Sequence, residues 1–338
     1  MLHQESKPSR KHRNRTNWFT YWPLTYNLHV GQKKNAIKIR MAGELGNQLF
    51  QLVAGLLIVK KIESKLELEF SSLSSNRLQP YSFYDPKVIT ISENGLNRYA
   101  KYAFDYISIL KYVKKLVLKL MNVTTFTEKF AHVYDNRILT IKDKSVISGY
   151  FQSFRYVKEC ESYYPVREML GLKTFSNEYH DLEHELGAYP FVAVHIRRGN
   201  QKDPSSILSS EIHGLLPPDY YDNAHNLLSK LIHIEKYKII VFTDNKSESA
   251  EFVKDFGFLV DRIIGRDDLQ SQQETMHLIS KSQHIIGANS SFSWWAAYLG
   301  DNENTFTIFP KPWYKKPGET DQQILWPHWL VCGFESYL

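Results

Sequence analysis

The chain has 338 residues, of which 43% are hydrophobic and 14% aromatic, and its formal net charge is +6. This composition excludes disordered, collagen-like and disulfide-scaffold proteins, and the length predicts about two domains. The positive charge is local, because residues 1–40 hold nine Lys or Arg and one acid, whereas the rest holds 33 basic and 35 acidic residues. Nucleic-acid binding needs a basic face, so we expect no nucleic-acid partner for the body of the chain.

Residues 1–35 are predicted to form an N-terminal extension, basic up to Asn17 and aromatic over 18–26. A mobile tail is one interpretation, and an arm that docks on an anionic membrane surface is the other. The stretch 100–121 raises the same question, because its helical periodicity places lysines around an apolar stripe. We favour a core helix with a solvated basic face there, and peripheral membrane contact stays open.

Cysteine content and apolar runs indicate the compartment. Cys160 and Cys332 are the two cysteines, which fits a reducing environment, although one isolated disulfide stays open. The longest apolar run, at 49–59, is too short to span a bilayer, and no signal-type apolar segment follows the charged N-terminus. We therefore expect a cytoplasmic protein, with peripheral contact to the inner membrane face as the alternative.

From residue 36 onward, β-prone runs alternate with helical stretches, which predicts an α/β fold with parallel sheets covered on both faces. The Gly187–Pro190 break separates a predicted N-terminal domain, 36–188, from a C-terminal domain, 189–338. Strands are predicted at 36–40, 66–70, 191–196, 237–242, 258–264, 284–288 and 305–309, and helices at 47–62, 219–234, 246–256, 270–282 and 291–299.

Three segments carry candidate site residues. In FVAVHIRRGN (191–200) a strand runs into His195, Arg197 and Arg198, and arginine binds phosphate bidentately. His195 and Arg197 are two residues apart and share one side of the chain, whereas Arg198 faces the other. An exposed arginine pair that ends a strand is the alternative interpretation.

The segment GANSSFSWWAAYLG (287–300) places Ser290 or Ser291 at the start of a helix, where backbone N–H groups suit phosphate. The turn GELGNQLFQ (43–51) joins a strand to a helix through glycines, as phosphate-binding turns do. An ordinary helix cap and an ordinary turn are the alternatives, and we expect Trp294 and Trp295 to pack in the core.

Absent motifs narrow the chemistry. No Asp-x-Asp sequence occurs, so the common carboxylate grip on a metal–nucleotide complex is missing, and no metal site is predicted. His180 and His184 stand one helical turn apart, but we favour a solvated helix face for them over a metal pair.

Together, GELGNQLFQ, HIRRGN and ANSSFSWWAAYL resemble the α-1,2-fucosyltransferases of glycosyltransferase family 11 over residues 36–315. Supporting matches are GYFQSFRY (149–156), VFTDN (241–245), ETMHLISKSQHII (274–286) and FPKPWY (309–314). The resemblance implies the GT-B arrangement, in which two Rossmann-like domains face each other across a cleft.

The resemblance also implies the reaction. An inverting, metal-independent enzyme without a cofactor would transfer L-fucose from GDP-β-L-fucose to the 2-hydroxyl of a terminal galactoside, in glycan biosynthesis. It implies catalytic roles for Arg197 and His195, with Arg197 on the donor phosphates. The donor-binding positions that it implies are Gly46, Asn47, Gln48, Arg198, Asp244, Ser290, Ser291 and Phe292.

Two departures from the family pattern motivate an alternative function, a GDP-sugar or glycan-binding protein with degraded catalysis. Glu44 stands where the family usually has glycine, and Asn200 stands where it usually has aspartate. An amide cannot accept a proton, so Asn200 cannot be a general base. Asp203, Glu211 and His213 follow the arginine motif as further candidates, and the base stays unassigned.

Overall fold

A computed structural model describes residues 36–70, 89–92, 124–172, 174–199, 210–315 and 323–338. Asn35–Leu338 forms one compact unit. The predicted extension at 1–35, the predicted helix at 100–121, Asn200 and Asp203 all lie outside the described residues.

The first sheet is parallel, with its described strands in the order β3-β2-β1-β5-β4. Along β1, buried Ile37 and Ile39 alternate with partly exposed residues, as expected of a strand with one face in the core. The strands are β1 Ala36–Arg40, β2 Lys65–Glu69, β3 Ile89–Ser92, β4 Thr124–Thr127 and β5 Ser145–Ser148.

The second sheet is also parallel, in the order β11-β10-β9-β6-β7-β8. Every residue of its central strand β6 is buried, which explains the apolar run FVAV that precedes His195. Its strands are β6 Phe191–Ile196, β7 Lys238–Thr243, β8 Arg262–Gly265, β9 His284–Ile286, β10 Thr307–Pro310 and β11 Leu330–Cys332. Two Rossmann-like parallel sheets in one chain confirm the predicted fold class.

Helices cover the sheets, and short 3-10 turns follow several of them. The helices are α1 Leu45–Ile62, α2 Phe154–Glu161, α3 Val166–Leu170, α4 Asn177–Gly187, α5 Pro218–Ser229, α6 Lys246–Phe252, α7 Gln272–Ile279 and α8 Ser291–Gly300. Several predicted elements were too long, including the helix predicted at 246–256, which ends at Phe252, and the helix predicted at 270–282, which spans Gln272–Ile279. The helix predicted at 219–234 ends at Ser229, and the strand predicted at 258–264 begins only at Arg262, where pairing with β7 starts.

One hydrophobic core runs through both halves of the unit. It extends from the first sheet through α1 to α8 and the second sheet, with Trp294 and Trp295 fully buried as predicted. Among the described residues α1 is long and apolar enough to cross a membrane, but 78% of it is buried inside the protein. Both cysteines are buried free thiols, so the open question of a disulfide is answered.

In each sheet the strands that follow the central strand are added first on one side of it and later on the other. This reversal of strand order lies between β1 and β5 in the first sheet and between β6 and β9 in the second. In open parallel sheets, ligands bind beyond the carboxyl ends of strands at such switch points. All three candidate segments lie there, because they follow β1, β6 and β9.

Candidate active site

The first turns of α1 and α8 are in direct contact, and we name this contact the junction. It is formed by Gly46 and Asn47 of α1 and by Ser291 and Phe292 of α8. A Cβ placed on Gly46 would lie 2.5 Å from the Ser291 carbonyl carbon and 2.6 Å from the Phe292 nitrogen. The Trp295 indole also donates to the Gly46 carbonyl at 2.9 Å. Only glycine allows so close an approach of the two helices.

Asn47 links three segments at the junction. Its Oδ1 accepts hydrogen bonds from Ser291 Oγ and from Gln152 Nε2, each at 2.7 Å. Gln48 is fully buried, and its side chain donates to the Gly43 carbonyl at 2.8 Å. In this state Gly46, Asn47 and Gln48 make contacts within the protein, and their role in donor binding stays a prediction.

Gln51, which lies outside the three sequence motifs' assigned site residues, holds the β1–α1 turn against the end of β5. Its Oε1 accepts from the Ala42 N–H at 2.9 Å, and its Nε2 donates to the Gly149 carbonyl at 2.8 Å. The available signal was a glutamine inside the apolar run at 49–59, which is 1% exposed in the fold. A buried amide of this kind must be satisfied, so it marks a hydrogen-bonding position.

His195 is buried at the end of β6 and contacts the first turns of α8. Its Nδ1 lies 3.0 Å from Ser293 Oγ, and its ring centroid lies 5.4 Å from that of Phe292. Burial, reinforced by the Arg197 charge and opposed by Asp244, lowers the pKa of His195 to about 4. Ser293 can also donate to the Ala288 carbonyl at 3.1 Å. Neutral His195 therefore joins β6 to the helix that follows β9.

The two arginines diverge as strand geometry predicts. Arg197 is half-buried; burial lowers the pKa of both His195 and His213, and the Arg197 charge adds to that effect, so Arg197 lies near both rings. The Arg198 guanidinium instead packs over the Phe252 ring at 4.1 Å and contacts Glu248 at 3.3 Å. The Arg198 side chain is thus placed among side chains of α6.

Asp244 anchors the backbone of the arginine motif. Its Oδ1 accepts from the Arg198 N–H at 2.8 Å, and its Oδ2 accepts from the Gly199 N–H at 3.1 Å. Gly199 has φ of +69°, a backbone conformation that favours glycine. The structure therefore gives Asp244 a positioning role for the segment that carries Arg197.

Ser290 caps α8, as predicted, because its Oγ accepts from the Phe292 N–H at 3.2 Å. Two neighbouring tyrosines of α5, which the sequence analysis did not single out, fix the strand ends on either side. The Tyr220 hydroxyl donates to the Gly287 carbonyl at 2.6 Å, and the Tyr221 hydroxyl donates to the His195 carbonyl at 3.3 Å. The carboxyl ends of β6 and β9 are therefore held rigidly together.

Among the residues that the structure describes, no group of three or more His, Cys, Asp or Glu side chains could hold a metal ion. His180 contacts Glu183 on the surface of α4. Glu211 is exposed, whereas His213 is partly buried and near Arg197.

Comparison with known proteins identifies the family of this chain. A family model described as "Glycosyl transferase family 11" matches residues 9–332. The chain belongs to glycosyltransferase family 11. It is 26% identical to an Escherichia coli alpha-1,2-colitosyltransferase, over 82% of this chain and 92% of that protein. It is 25% identical to the Escherichia coli O-antigen biosynthesis glycosyltransferase WbnK, over 86% of this chain and 98% of that protein.

A solved structure, NodZ alpha-1,6-fucosyltransferase co-crystallized with GDP, aligns at a TM-score of 0.43 and 12% identity. The alignment covers 79% of this chain and 93% of NodZ. The predicted family is thus confirmed by the sequence comparison, and the protein is a glycosyltransferase.

Proposed function

We propose that this family 11 glycosyltransferase transfers L-fucose from GDP-β-L-fucose to the 2-hydroxyl of a terminal galactoside. In this proposal the reaction inverts the anomeric centre and needs no metal. The observation that carries it is the convergence of Arg197, His195 and the N-terminus of α8 at the switch point between β6 and β9. A cation and the positive end of a helix dipole at that place suit a diphosphate.

The chemistry follows from where charge develops. The bond between fucose C1 and the β-phosphate oxygen breaks, and its electron pair stays on the departing GDP. The acceptor oxygen bonds to C1 from the opposite face, and its proton passes to a side-chain base or to water. Arg197 and the positive end of the α8 dipole stabilise the growing negative charge, and one such stabiliser is worth roughly 10²–10³ in rate.

Colitose is a second candidate donor sugar, because one relative of this chain is named an alpha-1,2-colitosyltransferase. Colitose lacks one hydroxyl group that L-fucose carries. A site that hydrogen-bonds that hydroxyl rejects the deoxy sugar by about 10⁴-fold, whereas a site with no partner for it discriminates weakly. The ratio of kcat/KM for the two GDP-sugars therefore decides between these donors.

The first experiment measures GDP release from GDP-fucose in EDTA, with and without a panel of β-galactosides. Release that depends on a galactoside supports a metal-independent transferase and begins to name the acceptor. Release that needs added Mg²⁺ or Mn²⁺ contradicts the metal-free proposal. Turnover of GDP-colitose without turnover of GDP-fucose would show that colitose is the donor sugar.

The alternative, a binding protein with degraded catalysis, rests on Glu44 and Asn200. Glu44 begins α1 in an extended conformation, and its carbonyl accepts from the Asn47 and Gln48 N–H groups. Its side chain does not cap the helix. A melting temperature that rises with GDP, together with no turnover on any acceptor, would favour this alternative.

A further inference from the structure

His213 has a fixed backbone position beside α8. It ends a helical stretch at 210–213, and Gly214 follows with φ of +77°. The side-chain amide of Asn289, between β9 and α8, donates to the His213 carbonyl at 2.7 Å and to the Trp313 carbonyl at 3.3 Å. The ANSS segment thus holds His213 next to the helix end to which we assign the donor phosphates.

The ring of His213 is partly buried, and one of its two nitrogens has no hydrogen-bond partner in the described part of the chain. Its centroid lies 5.1 Å from that of Tyr314, whose hydroxyl is 3.2 Å from His132 Nδ1. His213 Nδ1 is buried and has no hydrogen-bond partner among the described residues. Buried polar atoms are nearly always paired in folded proteins, so this nitrogen near Arg197 can accept a polar partner that the described residues do not supply.

Among the residues that the structure describes, Arg197, His132 and Tyr314 are the groups found to act on or contact the His213 ring. Burial, then the Arg197 charge, then His132 lower the pKa of His213 to about 4. Tyr314 contributes a neutral ring from the segment after β10. Without a ligand, His213 is therefore neutral at pH 7, because protonation would place a second cation next to Arg197.

We propose that His213 becomes protonated when a nucleoside diphosphate binds beside Arg197, and that it then forms a second cationic contact with the diphosphate. The two negative charges of a sugar-nucleotide diphosphate reverse the sign of the field that acts on the ring. The imidazolium then stabilises the same oxygens on which charge grows as GDP departs. This inference rests on the proposed donor site and assigns to it a residue that binds a proton together with the nucleotide.

The test is calorimetry of GDP-fucose binding in two buffers that differ in ionisation enthalpy, between pH 5 and 8. A sugar nucleotide is the right probe, because its phosphates are esterified and do not titrate in this range. We expect uptake of up to one proton. We also expect affinity to fall by up to about tenfold per pH unit as the pH rises between the pKa values of the unliganded and bound states.

The decisive variant is His213→Gln, which keeps a polar side chain but cannot be protonated. It should bind GDP-fucose without proton uptake and with an affinity that varies little with pH. His225→Gln is the matched control, because His225 is half-buried on α5 and stacks on Phe258 with centroids 4.3 Å apart. That variant should retain the proton uptake of the wild type.

Each outcome decides one claim. Wild-type binding without proton uptake, or uptake that persists in His213→Gln, overturns the role of His213 while leaving the donor site in place. If only another nucleotide sugar, such as UDP-galactose or GDP-mannose, binds with uptake that His213→Gln removes, the inference holds and the fucose donor is wrong. Failure of every nucleotide sugar to bind overturns both.

Discussion

Around the first turn of α1, polar side chains hydrogen-bond to neighbouring segments of the protein, whereas near the ends of β6 and β9 two imidazoles lie close to the Arg197 cation. Asn47, Gln48 and Gln51 each bond to backbone or side-chain groups of neighbouring segments. On the other side of the junction, His195 and His213 are neutral imidazoles near Arg197. Both turns resemble phosphate-binding turns in sequence, yet they differ in the partners of their polar groups.

The difference separates two tasks within one pair of sheets. The α1 side determines how closely the two helices approach, and the β6–β9 side supplies charge for an anion. Substitutions on the α1 side should therefore change stability first and activity as a consequence. Substitutions at Arg197 should change activity and leave the fold intact.

The largest effect is expected for Arg197→Ala. Removing the cation at the switch point should lower the transfer rate from GDP-fucose by about 10²–10³-fold. The melting temperature should change little, because Arg197 is only half-buried. Initial-rate kinetics and thermal unfolding of the same preparation measure both quantities.

Arg262→Ala is the matched control, since Arg262 lies at the start of β8 and pairs with Glu185, away from the carboxyl ends of the strands. It should keep wild-type transfer. Normal transfer by Arg197→Ala would contradict the assignment of Arg197 as the cation that stabilises the donor phosphates.

Gly46→Ala should have the next largest effect, on stability. Its Cβ would meet backbone atoms of Ser291 and Phe292 at 2.5–2.7 Å, and backbone cannot rotate away. Overpacking of this kind costs about 1–3 kcal/mol in the free energy of unfolding, which urea denaturation measures.

Gly187→Ala provides the contrast, because a Cβ on that residue, at the end of α4, has nothing within 4 Å. It should be neutral or stabilise by a few tenths of a kcal/mol, roughly the helix preference of alanine. Equal stability of the two alanine variants would mean that the junction is looser than its geometry indicates.

Glu128 makes the α1 side sensitive to pH through the segment after β5. Its Oε2 accepts from the Tyr150 and Phe151 N–H groups at 2.9 Å. Burial raises its pKa to about 7, with Asp135 adding to the rise, while these hydrogen bonds and Tyr156 oppose it. Since the folded-state pKa exceeds the unfolded value, its stabilising contribution is complete below about pH 4.5 and is lost as pH rises through 7.

Glu128→Gln should therefore reduce the loss of stability between pH 5 and 8 by about 1–2 kcal/mol. Melting temperatures across this range measure the effect, with Glu251→Gln, an exposed residue of α6, as the control. Parallel pH profiles for wild type and Glu128→Gln would show that the carboxyl group titrates normally.

Strand and helix periodicity predicted the second half of the chain well, because short apolar runs rich in β-branched residues, such as 191–194, are typical of buried parallel strands. The short edge strand β4 was missed, since its residues are mostly exposed and carry no apolar pattern. Because their motifs follow predicted parallel strands, Arg197, His195 and Ser290 could be predicted to lie at the same edge of the sheet. The divergence of Arg198 followed from alternation along a strand, whereas the anchoring role of Asp244 needed tertiary distances.

The smallest predicted effect tests the Asn47–Ser291 hydrogen bond across the junction. A double-mutant cycle of Asn47→Ala and Ser291→Ala should give a coupling energy of about 0.5–1.5 kcal/mol, the usual net value of one such bond. Ser282 is a buried serine that bonds only to the Ile279 carbonyl among the described contacts, so the cycle Asn47→Ala with Ser282→Ala should give about zero. Equal coupling in both cycles would mean that Asn47 acts through global stability. Coupling confined to Ser291 would show that this bond holds the α1 turn and the α8 turn together. The bond would then fix the position of the first turn of α1 relative to the ends of β6 and β9.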